Sequence, residues 1–182
     1  MDHRSPDASA RFEALAAEVY EPLQRYVRRR VAAEAVDDVV ADTMLVLWRR
    51  VDEIPVGAAV PWAYGVARRQ LANHRRAAGR RLRLVRRIEA EPQSPVVGSH
   101  PLDAELDAAL CALSGADREI LRLWAWEGLE PTDIGVALEI TPNAAAIRLH
   151  RAKKKLRDEL MRRKDPASGG HAQGERRKEE RL

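Results

Sequence analysis

Side chains able to do covalent or metal chemistry are few in this chain and poorly placed for it. Its five histidines, His3, His74, His100, His150 and His171, stand apart, with no partner at metal-ligand or triad spacing. The single cysteine, Cys111, excludes a disulfide framework and a cysteine-based zinc site. It lies in the largely apolar run Leu106–Cys111 and reads as a small, inert core residue. There is no glycine-rich phosphate loop. A chain without cofactor, metal or catalytic residues follows. What remains is binding chemistry, carried by arginine and lysine in two acid-free stretches.

The first stretch runs from Ile54 to Ile88, with nine arginines between Arg68 and Arg87. Trp62 and Tyr64 stand near its start, beside the Pro55–Pro61 loop, and Asn73 lies among the arginines. Basic residues interleaved with aromatics suit single-stranded nucleic acid: cations follow the phosphates while rings take unstacked bases. Trp62, Tyr64, Arg68, Arg69, Asn73, Arg75 and Arg76 are the candidates. The competing reading, that these aromatics belong to the core, is expected to hold for one of them.

The second stretch lies between Glu139 and Asp158. Residues 131–138 form a short helix, Glu139-Ile140-Thr141 a tight turn, and Thr141 then caps a helix with Pro142 in its first turn. Two short helices across such a turn make a helix-turn-helix. Ala145, Leu149, Ala152 and Leu156 share one face and should pack inward. Asn143, Ala144, Ile147, Arg151 and Lys154 lie opposite or nearly so, with Arg148 and Lys155 on a flank. An apolar side backed by a uniformly basic one fits a major groove. A merely solvated basic face is the weaker alternative, because cap, turn length and one-sided charge coincide. The outward Ile147 would touch a thymine methyl.

A third feature is acidic. In the helix expected over residues 35–51, Val36, Val40, Thr43 and Leu47 form a core stripe. Asp38, Asp42, Leu45 and Arg49 form a polar stripe on the opposite face, with one exposed leucine. Acids around an apolar anchor suit a basic partner surface.

The elements that must position these residues are helical. The chain has 182 residues, 45% apolar, 33% charged and only 4% aromatic, with a net charge of +4. Alanine and leucine dominate, strand-like alternation is scarce, and an all-α fold is expected. Residues 1–10 read as a disordered tail, 11–89 as one helical domain, 90–101 as a proline-rich linker, 102–164 as a second domain and 165–182 as a disordered charged tail. Within the first domain, helical spacing of Phe12, Leu15, Ala16, Val19, Leu23, Tyr26 and Val27 is interrupted by Pro22. A turn over residues 114–117 precedes a helix over 118–126, where Trp124 and Trp126 are expected to be buried or half-buried. The amino terminus lacks a signal core and no stretch approaches a membrane span, so a cytoplasmic protein without membrane insertion is expected.

Three segments in order resemble the sigma-70 superfamily of transcription initiation factors. Residues 36–48, VDDVVADTMLVLW, resemble its polymerase-binding segment; residues 62–76, WAYGVARRQLANHRR, resemble its −10-reading and melting segment. Residues 113–156, above all 141–152, TPNAAAIRLHRA, resemble its −35-reading domain, and the short linker is similar to that of the extracytoplasmic-function (ECF) group. The resemblance implies a region 2 helical bundle tethered to a region 4 helix-turn-helix. It implies core RNA polymerase, promoter DNA and an anti-sigma factor as partners, with Asp38, Asp42, Leu45 and Arg49 on polymerase. It also implies that the loop and basic helix open the −10 element and that the second module reads −35. Departures from the family pattern are Ala41 for a common glutamine, Arg69 for a common asparagine, Asp133 and Gly135 for a usual Glu and Ala, and Glu139 for the usual turn glycine. Residue 139 must therefore manage a position that favours positive φ. The alternative is a stand-alone helix-turn-helix regulator, which has no need of the acidic stripe.

Overall fold

The computed structural model describes residues 6–85 and 101–164. The expected tail over 165–182 and the linker, up to residue 100, lie outside them. Every described element is helical: α1 Pro6–Arg28, α2 Val36–Arg49, α3 Ala59–Val85, α4 Pro101–Ala112, α5 Gly115–Ala125, α6 Pro131–Leu138 and α7 Pro142–Lys164, with single 3-10 turns at Ala33–Ala35 and Val51–Glu53. Two compact units result. Among the described residues, the first comprises 6–85 and 123–146, and the second comprises 101–122 and 147–164.

In the first unit, α1, α2 and α3 pack around one core. Leu15, Val19, Leu23, Tyr26 and Val27 of α1 are buried, at the spacing that predicts one helical face. Each such side chain contributes about 1.5–3 kcal/mol on burial. That outweighs the roughly 3 kcal/mol of an interior proline, so α1 runs unbroken through Pro22. The helix also begins at Pro6, and Ala8 is in the core. Residues 6–10, which composition assigns to a loose tail, are therefore helical, held by packing that polarity does not report. From α2, the predicted stripe Val36, Val40, Thr43 and Leu47 is buried, joined by Val39. The buried Thr43 hydroxyl donates to the Val39 carbonyl at 2.7 Å, which removes the penalty of an orphan polar group. Phe12 meets Trp48 edge-on with centroids 4.9 Å apart.

Helix α3 starts before Pro61, whose missing N–H falls among the first-turn donors that have no helical acceptor. Helix α6 packs on α3 within the same unit. In the second unit, Ser114 caps α5: its Oγ accepts from the Asp117 N–H at 3.1 Å, and the hydroxyl donates to the Asp117 carboxylate at 2.8 Å. Most of the expected turn over 114–117 is thus the first turn of α5. Cys111 is exposed rather than buried. Ala109 and Leu110 take the inward positions at the end of α4, which turns the next residue outward. Trp124 and Trp126 are 41% and 39% exposed, more open than expected.

Candidate nucleic-acid interface

Helix α2 carries its four candidate residues together on the outside. Asp38, Asp42, Leu45 and Arg49 are all exposed, Leu45 by 46%, behind the buried stripe that anchors the helix. The result is a rigid acidic face with an apolar centre.

Along α3 the candidates divide. Tyr64 is only 4% exposed and stacks on Tyr26, ring centroids 4.6 Å apart and planes 18° from parallel. Burial pushes its hydroxyl up to about 12, and the nearby Glu127 charge adds to the shift. Tyr64 is therefore a core residue here, packed where no base can stack on it, and Trp62 is the aromatic left near the surface. Trp62 is half-buried, with the Arg50 guanidinium 5.1 Å from its ring centroid. Asn73, Arg75 and Arg76 are exposed, and Arg76 Nη2 donates to Asn73 Oδ1 at 2.6 Å. Arg69 is exposed but paired with Glu139. Arg68 is half-buried, and its Nε is a buried donor without an acceptor. The Pro55–Ala59 segment turns at Gly57, φ 76°, and leaves Val56 fully exposed, six residues before Trp62.

The helix-turn-helix forms at the predicted residues. Glu139 adopts the left-handed conformation, φ 57° and ψ 45°, as the end of α6 requires. Its N–H donates to Val136 O at 3.3 Å, and Ile140 N–H to Gly135 O at 3.0 Å, a Schellman closure that satisfies two terminal carbonyls. Gly135 permits the tight return: a Cβ there would lie 2.9 Å from Ile140 O. Thr141 Oγ1 then accepts from the Ala144 N–H at 3.2 Å and caps α7.

On α7, Ala145, Leu149 and Ala152 are buried and Leu156 is half-buried, which leaves the basic side to solvent. Asn143, Ile147, Arg148, Arg151 and Lys154 are exposed, Ile147 by 44%, and Ala144 is half-buried. Lys155 instead binds Asp117 at 2.6 Å. Hydrogen bonding to Lys155, reinforced by Ser114, holds the Asp117 carboxyl below the usual carboxylate range against the opposing effect of burial. Lys155 thus ties α7 to α5 within the second unit.

One cluster escaped the sequence reading. Glu127 accepts from Arg29 Nη1 and Arg30 Nη1, each at 3.0 Å, and the side chains of Glu127 and Arg30 are only 3% and 1% exposed. Arg30 also donates to Tyr26 O at 2.9 Å and lies 3.5 Å over the Tyr26 ring centroid. The triplet Arg28-Arg29-Arg30 at the end of α1 was the available signal, but a basic run there also reads as a helix-end charge.

Among the described residues, no helix is long and apolar enough to cross a membrane.

The chain is similar to known proteins in sequence and in fold. The family model described as Sigma-70 region 2 matches residues 12–81, and Sigma-70, region 4 matches residues 103–156. A probable RNA polymerase sigma factor, RfaY of Xanthomonas campestris pv. campestris, is 29% identical over 159 residues; the match covers 81% of this chain but 39% of that longer protein. The ECF RNA polymerase sigma factor SigF of Caulobacter vibrioides is 30% identical over 150 residues, covering 79% of this chain and 81% of the relative. In fold, the chain is similar to the sigma factor RpoE in its complex with the anti-sigma factor NepR from Bartonella quintana. The TM-score is 0.59 at 21% identity, over 82% of this chain and 96% of the other.

Proposed function

The chain belongs to the sigma-70 family, ECF group, and we propose that it binds core RNA polymerase and directs promoter-specific initiation. One observation carries this: a single chain presents an exposed acidic face on α2 together with a capped basic helix α7. The acidic face suits a protein partner and the basic helix suits duplex DNA. In this reading Asp38, Asp42, Leu45 and Arg49 grip the polymerase. Asn143, Ala144, Ile147, Arg148 and Arg151 read the −35 element, and Lys154 meets phosphate. Trp62, Arg68, Arg69, Asn73, Arg75 and Arg76 handle the opened −10 strand beside the Pro55–Ala59 segment. The chain does no chemistry; polymerase supplies it. It acts in the cytoplasm, where polymerase and promoter are, and an anti-sigma protein holds it when idle.

The test is capture of purified core polymerase by the tagged chain, followed by run-off transcription. Asp38→Arg with Asp42→Arg, both on the exposed face, should abolish capture and leave duplex DNA binding intact. Capture that survives the double reversal would remove α2 as the grip. DNA binding without any polymerase capture would favour the stand-alone regulator.

A further inference from the structure

We infer that Arg50, at the end of α2, is a further DNA-contacting residue: with Trp62 it forms a clamp for one unpaired base, which it meets through the flat face of its guanidinium. The inference deepens the proposed role of α3 and rests on it. Arg50 lies outside α3 and outside the acid-free stretch 54–88, so charge along the chain gives no sign of it. Its guanidinium nevertheless sits 5.1 Å from the Trp62 ring centroid, near the amino-terminal end of α3. Trp62, Asn73 and Arg76 fall on one side of that helix. A strand following Asn73 and Arg76 along α3 therefore arrives at Trp62 and Arg50.

The edge of Arg50 that would grip a phosphate is already occupied. Its Nε and Nη2 both donate to Glu53 Oε2, at 2.9 and 2.5 Å. The Glu53 carboxylate also repels a phosphate brought to that edge. Glu53 is itself held in place, because it follows the buried Val51 and Asp52, which pairs with Arg11 of α1 at 2.8 Å. With this edge taken, Arg50 keeps its planar faces, and these stack on rings and bases. The spacing fits a clamp that opens. Arg30 lies 3.5 Å over the Tyr26 ring centroid with its side chain 1% exposed, which leaves no room for a base. Arg50 stands further from Trp62, and its side chain is 40% exposed. A base between guanidinium and indole needs about 7 Å, two van der Waals separations of about 3.5 Å, so Arg50 must swing by about 2 Å. Its long side chain can make that movement while Glu53 retains it.

The experiment titrates a fluorescent single-stranded DNA of about 20 nucleotides and random sequence with the full chain, by anisotropy, at salt concentrations between about 0.05 and 0.2 M. Arg50→Lys keeps the charge and can still pair with Glu53, but has no planar face. It should bind about two- to fivefold more weakly, the range of one exposed cation–π contact, with an unchanged slope of log affinity on log salt. In a Trp62→Leu chain the same substitution should have less than half that effect, because both residues act on one base. Glu53→Gln releases the edge of Arg50 for phosphate and should steepen the slope by about 0.7, one phosphate contact on a single strand. Wild-type affinity from Arg50→Lys, or an equal loss in the Trp62→Leu chain, would overturn the clamp. So would an unchanged slope for Glu53→Gln, since the edge would then not be what turns phosphate away. Arg50→Lys and Glu53→Gln alter solvent-accessible side chains and carry the test even if Trp62→Leu fails to fold. Arg75→Ala, at an exposed position of α3, reports on that helix separately: a flatter slope there, beside any of these failures, removes the clamp and leaves α3 a DNA-binding helix. If the wild-type chain does not bind the oligonucleotide, the reading of α3 fails and the clamp with it.

Discussion

Glu127→Ala is expected to destabilise the first compact unit by about 3 kcal/mol. The magnitude follows from what the substitution strands. The Arg30 side chain is 1% exposed, and Glu127 is the carboxylate that neutralises it at 3.0 Å. Breaking a buried pair by removing one partner costs about 3–5 kcal/mol, because the remaining charge stays out of water. Arg30 retains its bond to Tyr26 O at 2.9 Å and its place over the Tyr26 ring, and Arg29 is partly exposed and can turn to solvent. Both set the loss at the lower end. The assay is urea unfolding followed by far-UV circular dichroism, with midpoints compared at a shared slope. Arg30→Met combined with Glu127→Leu removes both charges and should return to within about 1 kcal/mol of the wild type. A loss below about 1 kcal/mol for Glu127→Ala would refute the reasoning, since it would mean that the pair is solvated and exchangeable.

Three further expectations concern the helix-turn-helix and its support. Thr141→Ala deletes the acceptor for the Ala144 N–H; it should cost about 1 kcal/mol and weaken duplex DNA binding in a salt-titrated mobility shift. Gly135→Ala gains about 1 kcal/mol of helix propensity, but its Cβ meets a backbone oxygen at 2.9 Å. Overpacking of about 1–3 kcal/mol should win and lower the thermal midpoint. The depressed Asp117 carboxyl contributes stability that is fully present above its unfolded value and lost as pH falls through its lower folded value. Acid titration of unfolding should therefore show a stability loss at the acid end of the carboxylate range that Asp117→Asn removes.

Much of the architecture was legible along the chain because amphipathic periodicity is a local property. The buried faces of α1 and α2, the bounds of α6, the Thr141 cap and the inward set Ala145, Leu149 and Ala152 all follow from residue spacing and capping chemistry. The left-handed turn at Glu139 was legible through the resemblance, in which a glycine usually stands at that position and implies a positive φ. Spacing also placed Asp38, Asp42, Leu45 and Arg49 on one outward face.

Tertiary structure alone decided which members of a basic or aromatic set remain available. Tyr64 and Trp62 are equivalent in composition, yet Tyr64 stacks on Tyr26 while Trp62 stays near the surface. Arg69 and Arg75 look alike in sequence, yet Arg69 meets a carboxylate seventy positions away in the chain. Lys155 is one of three consecutive lysines, and the one that Asp117 holds. Glu127 finds two arginines across nearly a hundred residues and becomes buried with one of them. Period and propensity act over one or two helical turns, so the sequence by itself determined the helices and the signs of their faces. Charge pairing and ring stacking act through space between elements whose separation along the chain is long, and only their packing settled which charges face solvent and which face each other.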